Sequence, residues 1–69
     1  MNKENTPWTR SSKGNWWRWA HGKHLVIGQS KTGPWFWVLC DGIFLTEKFD
    51  SEKRAKCAAE ASALVSLLN

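Results

Sequence analysis

The sequence has little of what disulfide-stapled, secreted or membrane-spanning proteins require. In 69 residues it carries two cysteines, two prolines and no tyrosine. Two cysteines are too few for a disulfide scaffold of this size. The sequence also contains no apolar run of about 18 residues, the length that would predict a membrane span. The polar first residues contain no apolar signal region. We therefore expect a cytoplasmic protein in which Cys40 and Cys57 are reduced and lie on faces turned to the core.

Residue patterns typical of catalysis or metal binding are also missing. The chain shows no Ser/His/Asp arrangement, no pair of helix-borne carboxylates and no Gly-rich phosphate loop. His21 and His24 could join the two cysteines in a zinc site, but their spacings fit no common structural zinc pattern. We therefore predict a protein that is not an enzyme, with no catalytic residue, no metal, no cofactor and no small-molecule substrate.

Negative charge is scarce in the first half of the chain. Residues 1–31 contain six basic residues and one acidic residue, whereas residues 32–69 contain four basic and five acidic residues. A net charge of +5 in the first half predicts an anionic partner, and the choices are nucleic acid, an acidic protein patch or a membrane surface. Of these we expect nucleic acid or a protein, and no membrane. The simpler alternative is a solvated, mildly basic surface.

The stretch 35–45 has two apolar runs on either side of Asp41-Gly42. An Asp-Gly pair in that position predicts a β-hairpin, because a type I′ turn needs positive φ at both central residues. The turn pairs Cys40 with Ile43 and, further along the strands, Leu39 with Phe44 and Trp37 with Thr46. Directly opposed residues share a face of the sheet. One predicted face carries Phe36, Val38, Cys40, Ile43 and Leu45, and the other carries Trp35, Trp37, Leu39, Phe44, Thr46 and Lys48.

The rest of the chain completes an α+β fold. Residues 1–14 are polar and predict a flexible basic arm, followed by a single βββ(β)α domain over residues 15–69. Residues 15–20 and 24–29 alternate as strands, with Trp17 and Trp19 on the face opposite Trp16 and Arg18. Together with the hairpin they predict a three- to four-stranded antiparallel β-meander followed by one C-terminal α-helix packed on one sheet face.

That helix is predicted over residues 52–68, which neither Gly nor Pro interrupts. Asp50 or Ser51 is a suitable N-cap. Apolar positions at i, i+3, i+4 and i+7 predict a stripe facing the sheet: Cys57, Ala58, Ala61, Leu64, Val65 and Leu68. We assign the helix to the aliphatic face with Val38, which leaves the face with Trp37 open. An exposed apolar patch of that size marks a binding site unless the chain itself covers it.

Aromatic and basic residues interleave along the predicted sheet, and this pattern is the candidate binding site. Aromatic rings on an open sheet can stack on bases while Lys and Arg neutralise phosphates. The same residue types dominate protein hot spots, and a third alternative is that the six tryptophans mainly complete a small core. The predicted partner-binding residues are Trp16, Trp17, Arg18, Trp35, Trp37, Lys13, Lys23, Lys31 and Lys48.

Residues 42–61, GIFLTEKFDSEKRAKCAAEA, resemble the last strand and helix of small sheet-plus-helix proteins encoded by phages and prophages. The DNA-binding arm domain of tyrosine-type phage integrases is similar in layout, with three strands and one helix and the sheet entering a DNA groove. Such arms place Lys and Arg on the sheet, whereas this sheet is mostly apolar and has Lys48 at its margin.

The resemblance implies a non-enzymatic binding module of a phage or other mobile element, acting in the cytoplasm of a bacterial host cell. Because the first half of the chain is basic, the expected partner is nucleic acid, bound through a Trp/Lys/Arg sheet face. The alternative is a small phage-type inhibitor that binds and blocks a host enzyme or defence complex. Basic residues flanking the aromatics favour nucleic acid, and a dry apolar patch with few charges at its rim favours a protein.

Overall fold

A five-stranded antiparallel sheet and one α-helix form the fold in the computed structural model, which describes residues 5–68 and their side chains through Ser66. Each strand pairs with the next, so the sheet is a meander, and the helix packs on one of its faces. The predicted α+β class is confirmed. Within this range no helix has the length and apolar character needed to cross a membrane. The elements are β1 (Thr9–Arg10), β2 (Trp16–Ala20), β3 (Lys23–Gln29), β4 (Phe36–Cys40), β5 (Ile43–Phe44) and α1 (Glu52–Leu68).

Strand β1 brings the sheet to five strands, one more than the upper number predicted. It has two residues, too few to show the alternation by which strands are recognised in a sequence. It lies within residues 1–14, the predicted arm. Just before it, the backbone N–H of Thr6 donates a hydrogen bond to the carbonyl oxygen of Trp19 at 2.9 Å. Residues 5–10 therefore run along β2, and residues 1–4 of the predicted arm lie outside the described residues.

The hairpin between β4 and β5 forms around the predicted turn. Asp41 and Gly42 have φ angles of 51° and 87°, the positive values that a type I′ turn requires. Cys40 lies opposite Ile43, as predicted. A glycine at the second turn position adopts this angle without the steric cost that a Cβ atom would add.

Beyond β5 the predicted pairing of Trp37 with Thr46 is wrong. Phe36 pairs instead with Phe49 through two backbone hydrogen bonds of 2.7 and 3.1 Å. Residues 46–48 therefore bulge out of the ladder beside Trp37. A bulge re-aims the side chains that it carries, and it places this segment at the edge of the sheet.

Ser51 is the N-cap of α1, one of the two residues predicted for that position. Its Oγ accepts a hydrogen bond from the backbone N–H of Arg54 at 3.2 Å, and its carbonyl oxygen accepts from the N–H of Ala55 at 3.0 Å. These are the contacts of an N-cap residue. Asp50, the other predicted residue, forms an ion pair with Arg54 at 3.5 Å.

The core lies between α1 and one face of strands β2 to β4. As predicted, the helix covers the face that carries Val38 and Cys40, whereas Ile43 at the sheet edge is 71% exposed. Phe36 and Leu45 are partly buried against the same core. The fully buried side chains of the sheet are large, and those of the helix are all alanine. The buried residues are Ala20, Leu25, Ile27, Val38 and Cys40 from the sheet, and Ala55, Ala59 and Ala63 from the helix.

The predicted helix stripe is wrong, because the helix turns Ala55, Ala59 and Ala63 to the sheet. Residues at i, i+4 and i+8 lie on one side of a helix, and their small side chains allow α1 to approach large sheet residues closely. Of the predicted stripe, Cys57 and Ala61 are exposed, and Leu64 and Val65 are 48% and 54% exposed. The Leu68 side chain lies outside the described part. Cys57 is thus a free thiol at the surface, while Cys40 is a free thiol in the core.

Replacement of a single alanine tests which side of the helix faces the sheet. Ala59→Leu adds volume where no space remains, so we expect it to lower the free energy of unfolding by about 1–3 kcal/mol in urea denaturation. Ala61→Leu makes the same chemical change at an exposed position, and we expect a change within about 0.5 kcal/mol. Equal losses in the two variants would contradict the orientation described here.

Candidate functional site

The two faces of the sheet divide the tryptophans between them. Trp8 and Trp16 pack against the core on the side that α1 covers. Trp17 and Trp19 point to the opposite side, as the predicted alternation of β2 requires. We call this second side the open face; its apolar and aromatic residues are Trp17, Trp19, His24, Val26, Trp35, Trp37, Leu39 and Phe44.

Two cations between the helix and the sheet contact other side chains of the protein. The Arg18 guanidinium forms an ion pair with Glu60 of α1, and Trp8 Nε1 donates to the same carboxylate at 3.2 Å. Lys56 Nζ lies 4.1 Å from the centroid of the Trp16 ring, a cation–π distance. Trp16 and Arg18, both predicted to bind a partner, therefore contact the helix and not the open face.

Lys56 also lowers the pKa of Glu52 at the start of α1. Its Nζ donates a hydrogen bond to Oε2 of Glu52 at 3.0 Å, and this bond is the main reason why the pKa of Glu52 falls below its ordinary value. The nearby Arg10 acts in the same direction. Lys56 thus joins the first turn of the helix to the aromatic contacts of β2.

The ion pair predicts a pH dependence of stability. A carboxyl whose pKa is lowered by folding stabilises the native state above its unfolded pKa, and that contribution is lost as the pH falls through the folded pKa. In urea denaturation between about pH 6 and pH 3, we expect a smaller acid-induced loss of unfolding free energy in Lys56→Met than in the wild type. Lys53→Met, at an exposed helix position, should keep the wild-type pH dependence. Identical profiles for Lys56→Met and the wild type would exclude this role of Lys56.

The central row of the open face crosses four strands. The register places Trp17 opposite Val26, Val26 opposite Leu39, and Leu39 opposite Phe44. Phe44 is 63% exposed, and its ring meets the Trp37 ring edge-on, with centroids 5.7 Å apart and planes at 78°. The row therefore forms an apolar floor with an aromatic wall at the β5 edge.

Gly28 allows the Trp37 ring to lie across β3. A Cβ atom at position 28 would come within 2.7 Å of both Cε2 of Trp37 and Oδ1 of Asn15, so neither group could stay in place. The indole and the Asn15 amide meet above the bare backbone of Gly28, which they bury. Glycine in a strand often marks such a close approach.

Two grooves lie on the open face, on either side of this meeting point. In the first, called the β2 groove, the His24 ring lies between Trp17 and Trp19, with centroid distances of 5.8 and 4.9 Å. The second is called the β5 groove. The β2 groove is lined by Ser11, Asn15, Trp17, Trp19, His24 and Val26, and the β5 groove by Trp35, Trp37, Phe44, Leu45, Thr46, Glu47 and Lys48.

Three exposed lysines lie at the same end of the sheet. In a meander, alternate connections lie at the same end, so the turn before β2, the loop before β4 and the bulge after β5 all lie there. These segments carry Lys13, Lys31 and Lys48, all exposed. Lys48 Nζ lies 4.9 Å from the centroid of the Trp35 ring. Lys23, a fourth predicted lysine, lies at the opposite end, 3.8 Å from Asp41.

The structure places four of the nine predicted site residues on the open face: Trp17, Trp35, Trp37 and Lys48. The prediction did not include His24 and Asn15, although strand parity places His24 beside Trp19 on the open face. Asn15 precedes β2 and gives no signal in the sequence, because its place in the site depends on the close approach at Gly28. Lys13 and Lys31, two further predicted residues, are exposed on connections at the same end of the sheet as Lys48.

No protein-family model, curated protein or solved structure matches this chain. The resemblance of residues 42–61 to phage integrase arm domains is therefore not shown by any of these comparisons. The function has to be argued from the geometry of the site, because one fold supports many functions.

Gly28→Ala tests the arrangement of Trp37. The added methyl would collide with the indole ring, so we expect a loss of about 1–3 kcal/mol in unfolding free energy and an altered tryptophan emission spectrum. Trp37→Leu removes the ring, and in that background the same glycine substitution should cost less. A double-mutant cycle measures the difference, and we expect a coupling above about 0.5 kcal/mol. Strictly additive losses would show that the ring does not rest on Gly28.

Proposed function

We propose that this protein is a non-enzymatic module that binds nucleic acid on the open face. The observation that carries the proposal is the position of exposed Lys13, Lys31 and Lys48 at one end of a sheet whose uncovered face carries indole rings. Rings and ammonium groups are the two kinds of side chain that such binding uses.

The rings supply the first part of the interaction. Stacking of a base on an aromatic side chain contributes about 1–3 kcal/mol and tolerates any base, because every base has a π-face. The open face offers several such rings, of which Phe44 is the most exposed. They are held in place by contacts with one another. We expect affinity without strong sequence preference.

The distribution of charge supplies the second part. The carboxylates of Glu52 and Glu60 lie on α1, where they pair with Lys56 and Arg18 on the covered side of the sheet. Asp41 lies at the end of the sheet opposite the three lysines, next to Lys23. The lysine end of the sheet carries the three lysines against Glu47, the acidic neighbour of Lys48, and Asp50, which pairs with Arg54.

A protein partner is the competing function, because a Trp-rich apolar surface also suits a protein hot spot. In that case the charged rim would contribute little to binding. The presence of three exposed lysines from separate segments at one end of the sheet favours nucleic acid over a protein target.

A salt series distinguishes the two functions. For a single strand that contacts three lysines, the logarithm of the association constant should fall with the logarithm of salt concentration with a slope of about −2. Lys13→Gln, Lys31→Gln and Lys48→Gln should each reduce that slope by about 0.7, measured by fluorescence anisotropy with a labelled oligonucleotide. Lys53→Gln removes an equal charge from the helix and should leave the slope unchanged.

Absence of binding to any DNA or RNA oligomer at low salt would contradict the proposal and point to a protein target. Equal effects of the helix control and the three loop variants would also contradict it, since the attraction would then come from net charge alone.

A further inference from the structure

We infer that the open face takes unpaired bases of a single strand and that it holds them in two separate subsites, the β2 groove and the β5 groove. This inference rests on the proposed function and makes it specific: the ligand class is single-stranded nucleic acid long enough to cross from one groove to the other.

The first step concerns pairing. In a duplex the faces of the bases are stacked on one another, and a protein reads base edges with polar side chains that project into a groove. The open face presents rings, and Trp17 and Trp37 are half-buried, so they do not project. A base can meet these rings only after it leaves its stack, as it does in a single strand.

The β5 groove contains the parts of one subsite. The Trp37 and Phe44 rings stand nearly perpendicular at 78° and form a corner. Trp35 closes the same groove, and Lys48 Nζ lies above its ring at 4.9 Å. A base in this corner would have its phosphate within reach of the Lys48 ammonium group, which is exposed.

The β2 groove contains the parts of a second subsite. Its wall is the Trp17 ring and the imidazole of His24, 5.8 Å apart between centroids. Its end is the turn that contains Ser11 and Asn15, where Ser11 Oγ accepts a hydrogen bond from the Asn15 N–H at 3.0 Å. The Asn15 amide can donate to and accept from the edge of a base, and Lys13 lies in the same turn.

The two grooves are separated by protein. The Trp37 ring and the Asn15 side chain meet above Gly28, between the grooves. Trp17 and Trp37 stand on β2 and β4, two strand spacings apart, or about 10 Å. One base therefore cannot fill both grooves, and two bases of one strand are required.

The test uses a labelled thymidine oligomer of about ten nucleotides, within the site size of single-strand binding folds. Its affinity should exceed that of a duplex of equal length by at least about tenfold. Phe44→Leu in the β5 groove and Trp17→Leu in the β2 groove should each weaken single-strand binding by about 5- to 100-fold. The two factors should multiply in the double variant, because the grooves are separate.

Trp8→Leu is the matched control. It removes an indole of similar burial from the helix side of the sheet, so it should change thermal stability but leave affinity at the wild-type value. Should Trp17→Leu fail to fold, a bromouridine-substituted oligomer can be photocrosslinked to the wild-type protein. Labelled peptides from both residues 15–24 and residues 35–48 would then support two subsites, and labels confined to one segment would overturn them.

The possible failures are distinguishable. If the duplex binds as tightly as the single strand, or if either groove variant binds normally, this inference fails while the lysine-dependent function stands. If neither oligomer binds at low salt, the proposed function itself fails.

Discussion

The close contact between the alanine face of α1 and the sheet is the constraint on which the rest of the structure depends. Residues 5–68 contain one helix, α1, and one helix can cover only one face of a five-stranded sheet. Because Ala55, Ala59 and Ala63 have no bulk of their own, Leu25, Ile27 and Val38 can fill the interface with close packing. The covered face then becomes a complete core, and the aromatic residues of the other face have no helix to shield them. Where the helix lies therefore decides which surface is available to a partner.

The same placement sorts the charges. The basic residues of the chain form two groups. In the first group Arg18 pairs with Glu60 and Lys56 lies over the Trp16 ring, so these cations join the helix to the sheet. A second group has no such role and lies on connections at one end of the meander. The net charge of a segment therefore does not reveal how many of its cations are already paired within the fold.

The local features of the fold could be predicted from the sequence. The Asp41-Gly42 turn, the alternation of β2 and the Ser51 cap follow from backbone preferences within a few residues, and the α+β meander follows from their order. The side of the helix that faces the sheet could not be predicted. A hydrophobic pattern gives most weight to large residues such as Leu64 and Val65, whereas the close approach of α1 to the sheet requires alanine. Only part of the candidate site could be predicted from the sequence. Strand parity placed Trp37 on the open face, but the position of the three lysines at one end of the sheet depends on strand order. The role of Asn15 depends on a contact across Gly28 that no short-range pattern contains.

The rings of the open face also stabilise the free protein, and this affects the entropy cost of the proposed binding. Trp17, His24 and Trp19 pack side by side, and Trp37 rests on Gly28 with its edge toward Phe44. Side chains already held in one arrangement lose little freedom on binding, where a mobile side chain costs about 0.5–1.5 kcal/mol. The rings of the open face are therefore already ordered in the free protein, as the proposed binding would require. The same contacts make each ring part of the fold. A loss of affinity in a ring variant can therefore be interpreted only by comparison with the loss of a similarly buried ring on the covered face, and Trp8 is such a ring.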